Sequence, residues 1–506
     1  MLHLDQTAET QASTLSARVC ATAWLSNVSS ATSDTASTRP LALLRAVLAW
    51  LLSRKLELAI FALGVALRVS MRFSFRPEWS YDSDLHWEVV EWIARHHRVP
   101  PVEAVFQAQH PPLYYALAAV LFTHGVTREQ MVWLSILFGT LRLGLIWTAL
   151  ELYLPGRRAA RAATLALAAV LAASIHLDGM VYPEALSCMW ICAALLLVPA
   201  AFQRQGSARY RLTVSMGVLL GLSMLTKISG VVVIGALGVA VGLELLLADV
   251  TWLARLKNAL PWAAMLSVVV AICGWYFWRN VRDYGRPFVT SFDLNSQHWL
   301  VKPFDATPLT DRRTLGFVTN WSTAIYSWPF WPSANIEHPR FFPVAMASSF
   351  VDYWNFSFSG IDIATRSPIM AGSRPMSSHV LAAARYAMFG GTVIMLASAT
   401  AWFIAFRRAI WRRNFGAVAM LLVPLFTVMA ALEFAINYPI DNYGVTKGVY
   451  MQFGAAPMYL LFGLAVDWSW RRAQRWPLLA LLLASLWCVA TYSVYCRFRV
   501  PLLPLG

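Results

Sequence analysis

The sequence predicts an all-α polytopic membrane protein, and three observations carry that prediction. Of its 506 residues, 58% are hydrophobic and only 13% charged, with a mean hydropathy of +0.54. Apolar stretches of spanning length recur along the chain, and arginines gather in the short connections between them. Lipid offers backbone amides no outside partner, so such spans must be helices whose hydrogen bonds close internally.

Residues 1–40 are rich in Ser, Thr and Ala, lack a long apolar core, and read as a flexible cytoplasmic tail rather than a cleavable signal peptide. The rest, 41–506, reads as one membrane domain. Residues 41–53 are apolar but short, and Arg54-Lys55 follow, which suits a segment lying along the inner surface. Spans are expected near 56–72, 131–152, 159–176, 180–201, 210–227, 229–247, 260–280, 380–406, 415–433, 453–469 and 476–495, about eleven crossings.

Five connections concentrate arginine: Arg157/Arg158/Arg161, Arg204/Arg209/Arg211, Arg255 with Lys257, Arg407/Arg408/Arg412/Arg413 and Arg471/Arg472/Arg475. Short loops of this kind stay in the cytoplasm, which puts all five inside. The apolar run 112–124 falls short of the roughly 17–25 residues that a crossing helix needs. Counting it as a span would also move Arg157–Arg161 outside, so it reads as a helix on the outer surface. Two large outer loops result, 73–130 and 281–379. The first carries an amphipathic helix over 84–97, capped by an aspartate and ended by Val-Pro-Pro. The second is rich in aromatics (Trp299, Trp321, Tyr326, Trp328, Trp331, Trp354, Phe356), which suit a membrane interface.

The net charge of +15 comes almost wholly from arginines confined to these clusters, which argues against nucleic acid as a partner. Cys188, Cys192, Cys273 and Cys488 fall inside spans and read as packing residues, not a disulfide framework.

A few polar residues need another account. Asp82 and Asp84, in Tyr-Asp-Ser-Asp-Leu-His (81–86), are paired acids at a bilayer edge, where an ionised group is costly without a partner or a task. Asp84 also suits a capping role; Asp82 lies outside the helix. His176, Asp178 and Glu184 surround a turn on the same outer face, and Glu184 sits where a helix N-terminus favours an anion. Lysine occurs only at 55, 227, 257, 302 and 447. Lys227 and Lys447 fall in outer connections, and Arg279 ends a span on that side. Three cations and at least two acids thereby meet on one face: cations suit a phosphate, and carboxylates suit a hydroxyl to be deprotonated or a metal. The histidines His86, His96, His97, His110 and His176 show no zinc-type spacing, so no metal ligand set is assigned. The cofactor is left open; a divalent cation is compatible with the sequence but not required by it.

These motifs resemble the GT-C superfamily of polyprenyl-phosphate-sugar-dependent glycosyltransferases, which includes lipid-A aminoarabinose transferases and protein O-mannosyltransferases. The matching pieces are 81–86, Gln-His-Pro-Pro-Leu-Tyr-Tyr (109–115), Tyr-Pro-Glu-Ala-Leu (182–186), Leu-Thr-Lys-Ile-Ser-Gly (225–230), Gly-Trp-Tyr-Phe-Trp-Arg-Asn (274–280) and Tyr-Gly-Arg-Pro (284–287), in order. The likeness covers roughly 55–290 and weakens at 350–360 and 443–465. The resemblance implies that Asp82 is the first-loop acid, Glu184 an acid after an outer turn, and Lys227 and Arg279 neighbours of the donor phosphate. The chain departs from the commonest pattern at Lys447, where relatives often carry arginine, and at Ser83, where many carry glutamate.

The expected function is an integral membrane glycosyltransferase, multi-pass in a bacterial inner membrane. It would move a hexosyl or pentosyl group from a polyprenyl-phosphate carrier to a hydroxyl of an acceptor lipid, glycan or protein, with inversion. The catalytic candidates are Asp82, Asp84 and Glu184. The substrate-binding candidates are His86, His110, Tyr114, Asp178, Lys227, Arg279 and Lys447. Two rivals stand beside this reading. A secondary transporter or lipid-linked-sugar flippase would place ionisable groups near the bilayer midplane, where only Arg142 and Glu244 qualify, and would show a symmetric repeat. A polysaccharide polymerase or ligase would share a large outer loop but not the acidic motif after the first span.

The orientation is testable. Cysteine scanning with an impermeant thiol reagent, in a background without native cysteines, is expected to label sites within 95–105 and 310–340 in intact cells. Protection of both stretches would overturn it.

Overall fold

A computed structural model describes residues 54–75, 77, 82–248, 250–291, 294, 314–330, 340–351, 353, 361–362, 367–368, 378–437 and 446–499. The expected tail and surface segment at 1–53, and Trp299, Trp331, Trp354 and Phe356, lie outside these residues. The first helices are α1 (Lys55–Ser74), α2 (Ser83–His96), α3 (Leu113–Thr123), α4 (Arg128–Tyr153), α5 (Arg158–Val170) and α6 (Ala172–Asp178). Then come α7 (Pro183–Gln203), α8 (Gly206–Thr226), α9 (Gly230–Leu247) and α10 (Trp252–Tyr284). The short α11 (Leu315–Thr319), α12 (Ala324–Ser327) and α13 (Phe341–Phe350) precede α14 (Ser378–Trp411), α15 (Phe415–Asn437), α16 (Ala455–Trp470) and α17 (Trp476–Arg499). A minimal antiparallel ladder pairs Ile361–Asp362 with Ser367–Pro368.

Each expected span coincides with a helix or a helix pair, but apolarity alone supports fewer crossings than expected. Among the described residues, eight helices are long and apolar enough to cross a membrane, or nine if α5 and α6, bent by 56°, form one broken span. The expected spans at 56–72 and 210–227 are helices outside that set. Helix α1 carries Glu57, Arg68 and Arg72, and α8 carries Arg209 and Arg211 among several hydroxyl residues. Helix α3, with 11 residues, is too short to cross.

Helix α8 lies along α7 and α10, α9 against α15, α4 against α7, α1 and α16 against α5, and α14 against α17. One large apolar cluster joins α1, α4–α6, α13, α14, α16 and α17 around Leu67, Leu165, Phe350 and Phe462. Another joins α7–α10 with α15 around Ile191, Leu220, Val233 and Val423. A third seats α2 and α3 on α4 and the start of α7 through Val90, Tyr115, Ile136 and Leu186. Val239, Val270, Leu396 and Phe403 point outward and are exposed, as lipid-facing residues of such helices must be.

The break between α5 and α6 frees a turn of backbone carbonyls, and each finds a partner. Leu171 N–H still donates to Leu167 O. Arg68 takes the next two, with Nη2 to Ala168 O at 3.3 Å and Nη1 to Ala169 O at 3.2 Å. Ser493 Oγ of α17 donates to Val170 O at 2.6 Å. The same Arg68 donates from Nε to Asp178 Oδ2 at 2.7 Å, and Arg142 from Nη2 to the same oxygen at 2.8 Å. Both guanidiniums also reach Ser174 Oγ. All three charged side chains are buried. Gly139 of α4 makes room for this carboxylate, since a Cβ there would overlap Asp178.

Glu244, expected near the midplane, lies in the last turn of α9 and pairs with Arg209 in the first turn of α8. Ion pairs thus occupy both of the charges that favoured a transporter. Replacing Arg68 by Met strands Asp178 with one cation and leaves two carbonyls unpaired; removing one partner of a buried pair costs about 3–5 kcal/mol. Arg68→Met is therefore expected to lower the thermal unfolding midpoint in detergent sharply, read by fluorescence-detected gel filtration after heating.

Candidate active site

Asp82, rather than Asp84 as expected, occupies the position just before α2. Helix α2 starts at Ser83, and Asp82 makes no side-chain hydrogen bond to its first turn. Asp84 is inside the first turn, exposed, and held by Arg128 of α4 at 2.5 Å, while Arg128 also donates to Ser83 Oγ at 2.6 Å. The helix ends at His96, before the expected prolines, where His97 turns left-handed at φ 53°. Asp82 itself is left-handed, at φ 60° and ψ 5°. For most L-residues that conformation costs roughly 1–2 kcal/mol, which Asp and Asn tolerate best. The turn frees the Asp82 carboxylate from capping, and Tyr182 Oη donates to its Oδ2 at 3.4 Å.

Around Asp82 stands a group of rings. The Tyr182 ring lies 4.2 Å from that of His86, which stacks on His110 at 5.7 Å. His86 Nδ1 is 2.6 Å from the Tyr115 hydroxyl. Burial, assisted by the nearby His110, Lys227 and Lys447, holds His86 well below its ordinary pKa. His110 is lowered in the same way by burial and Lys227. Both imidazoles are therefore neutral at pH 7 and serve as hydrogen-bonding groups, not as cations. Burial raises Tyr114 and Tyr115, which stay protonated. Tyr114 is buried one position before Tyr115, its hydroxyl beside Ser135.

The cations come from far along the chain. Lys227 follows the last residue of α8 and forms an ion pair with Glu184, in the first turn of α7. Lys447 precedes the 3₁₀ turn Gly448–Gly454. Gly448 packs so tightly on α13 that a Cβ would lie 2.7 Å from Ser348 O, and its N–H donates to Ser348 Oγ at 2.9 Å. That close approach sets the position of Lys447. The two ammoniums flank one ring: Lys227 Nζ is 5.3 Å and Lys447 Nζ 5.4 Å from the centroid of Tyr450. The charge of Asp82 acts on both lysines. Burial pulls Lys447 down to about 8, with Asp82 opposing.

Arg279 adjoins this group through Tyr276, with its guanidinium 4.8 Å from that ring. It donates to Pro100 O at 3.3 Å and to Asn280 Oδ1. Tyr276 Oη donates to Gln109 O at 3.1 Å, Ser291 N–H to Gln109 Oε1 at 3.1 Å, and Tyr284 Oη to Glu103 at 2.6 Å. The end of α10 thereby clamps the 98–110 stretch that delivers His110.

Residues 109–278 match the family model described as dolichyl-phosphate-mannose-protein mannosyltransferase. The match covers about a third of the chain, in a segment that contains His110, Tyr114, Glu184, Lys227 and Tyr276. No curated protein matches the chain. Among solved structures it is similar to the Archaeoglobus fulgidus oligosaccharyltransferase tethered with an acceptor peptide, at 12% identity and a TM-score of 0.47 over 89% of this chain. The chain spans 56% of that enzyme's length. It is also similar to ArnT from Cupriavidus metallidurans bound to undecaprenyl phosphate, at 16% identity and a TM-score of 0.33 over 92% of this chain and 89% of that one.

Of the candidate residues, the fold brings Asp82, His86, His110, Tyr114, Glu184, Lys227 and Lys447 together, with Arg279 alongside. Asp84 turns outward to Arg128. Asp178 does not join them among the described residues, its carboxylate being engaged by Arg68 and Arg142 in the interior. Among the described residues, no group of three or more His, Cys, Asp or Glu could hold a metal ion. Tyr450 and Tyr182 escaped the sequence reading. Tyr182 adjoins Glu184 in a motif that had drawn notice for its acid, and Tyr450 is signalled only by its spacing of three from Lys447.

Proposed function

We propose that the protein transfers a sugar from a polyprenyl-phosphate carrier to an acceptor hydroxyl at the outer, periplasmic face of a bacterial inner membrane, with inversion. The observation that carries this reading is the convergence of two carboxylates, Asp82 and Glu184, with two lysines about the single ring of Tyr450. The matched family's description names a dolichyl-phosphate mannose donor, which supports a polyprenyl-phosphate-linked sugar here. The arginine-rich connections support the outward orientation of the site.

In this reading the acceptor hydroxyl gives its proton to Asp82 as its oxygen bonds to the anomeric carbon. The bond from that carbon to the phosphate oxygen breaks on the opposite side, and the electron pair leaves with the polyprenyl phosphate. Lys227 and Lys447, with Arg279 alongside, take up the charge of the leaving phosphate, a positioning and electrostatic task. Neutral His86 and His110, stacked beside Tyr182 and Asp82, offer hydrogen bonds to hydroxyls without competing for the phosphate. The left-handed turn at Asp82 keeps its carboxylate clear of the helix it precedes.

Asp82→Asn keeps the shape and tolerates the left-handed turn but cannot accept a proton. Loss of a general base typically costs about 10²–10⁴-fold in rate. Transfer from a defined polyprenyl-phosphate sugar in a reconstituted assay is expected to fall in that range, with protein level and donor binding retained; Asp84→Asn is the control with the smaller loss. Normal transfer by Asp82→Asn would remove it from the mechanism.

The second prediction uses pH. A lysine pulled down by burial is charged below its pKa and loses its charge as pH rises through it. Lys227 is pulled down further, to about 7, so donor use is expected to decline as pH rises through about 7 to 8. Lys447→Arg keeps a cation whose charge persists to far higher pH, so the part of the decline near pH 8 should disappear while the part set by Lys227 stays. An unchanged profile in that variant would exclude Lys447 from phosphate binding.

A further inference from the structure

The pair between Glu184 and Lys227 does something that a simple phosphate site would not. A lysine meant to meet a phosphate is already neutralised by a carboxylate from the neighbouring helix. That carboxylate is 5% exposed and the lysine side chain 14%. Glu184 Oε2 is buried and has no hydrogen-bond partner. A buried carboxylate oxygen without a donor is an expensive state, kept where something outside the resting structure supplies the donor.

The geometry allows Lys227 to let go. It follows the last residue of α8, and its ammonium lies 5.3 Å from the centroid of the Tyr450 ring, which Lys447 approaches to 5.4 Å. A swing away from Glu184 toward Lys447 keeps it against that ring and brings two cations to one anion. Glu184 lies in the first turn of α7, where the helix N-terminus favours a negative charge.

Resting on the lipid-phosphate reading above, we propose that Lys227 exchanges partners: an entering lipid phosphate displaces Glu184 from Lys227, and Glu184 is the positioning residue that holds phosphate affinity down. The exchange leaves both Glu184 oxygens open to hydroxyl donors only once a phosphate is in place. A phosphate group therefore competes with an anion built into the protein, which would favour release of the lipid-phosphate product.

The test is binding of a synthetic polyprenyl monophosphate to the full chain in nanodiscs, with inorganic phosphate and phosphatidylglycerol as parallel probes. Glu184→Gln is expected to bind the polyprenyl monophosphate roughly tenfold tighter than the wild type, since one charge-assisted contact no longer has to be broken. Glu184→Asp keeps the charge but withdraws the carboxylate by one methylene; it should shift in the same direction by less, and it carries the test if Glu184→Gln fails to fold. Lys227→Gln should bind roughly tenfold weaker, and the double variant no tighter than Lys227→Gln. Parallel tightening for inorganic phosphate but not phosphatidylglycerol would support exchange at a terminal phosphate. Parallel tightening for phosphatidylglycerol would overturn it in favour of general anionic-lipid attraction. Wild-type binding with Glu184 variants equal or weaker overturns the exchange and leaves the lipid-phosphate reading standing. No binding of polyprenyl monophosphate by any form overturns both.

Discussion

A guanidinium buried among three helices sets the geometry on which the rest depends. The chain breaks at Leu171, and a break inside an apolar bundle strands carbonyls that neither lipid nor side-chain carbon can satisfy. Arg68 supplies two of the missing donors and Ser493 a third. The charge that this brings into the interior is met by Asp178, which Arg142 then shares. One anion between two cations leaves an excess of positive charge, moderated by Ser174 and the carbonyl of Gly64. The outcome is mechanical: α6 is pinned to α1 and α4, and the few residues after it deliver Tyr182 and Glu184 to the site.

The site follows a similar rule, with its charges arranged to be conditionally paired. Asp82 is released from capping by a left-handed turn, while the nearby Asp84 is tied off by Arg128. Lysines from segments more than two hundred residues apart meet on one tyrosine ring. The imidazoles are held neutral by burial and by those same lysines, so among the described residues the central charges are those of the two lysines and the two carboxylates, with Arg279 alongside. A group so balanced binds little on charge alone and responds strongly to an anion that can displace one of its own members.

Reading the chain without coordinates went furthest where chemistry is local. Helix positions followed from apolar length, because lipid allows backbone groups few other solutions. Asp82, Glu184, Lys227 and Lys447 were legible because ionised groups are rare in such a chain and each needs a reason. Capping was expected at Asp84, but the helix already starts at Ser83, so Asp84 falls inside the first turn and Arg128 takes its carboxylate. Asp178 drew notice for being an acid near a turn; nothing local says that Arg68, 110 residues earlier, would claim it.

The sequence by itself determined the helical membrane architecture and the scarcity of its ionisable residues. Only the tertiary structure decided which acids are free and which are consumed. It decided that the α5–α6 break is capped by a guanidinium and that Tyr450 is approached by two lysines. The physical reason is that a charge declares itself by residue type, whereas its partner is chosen by long-range packing.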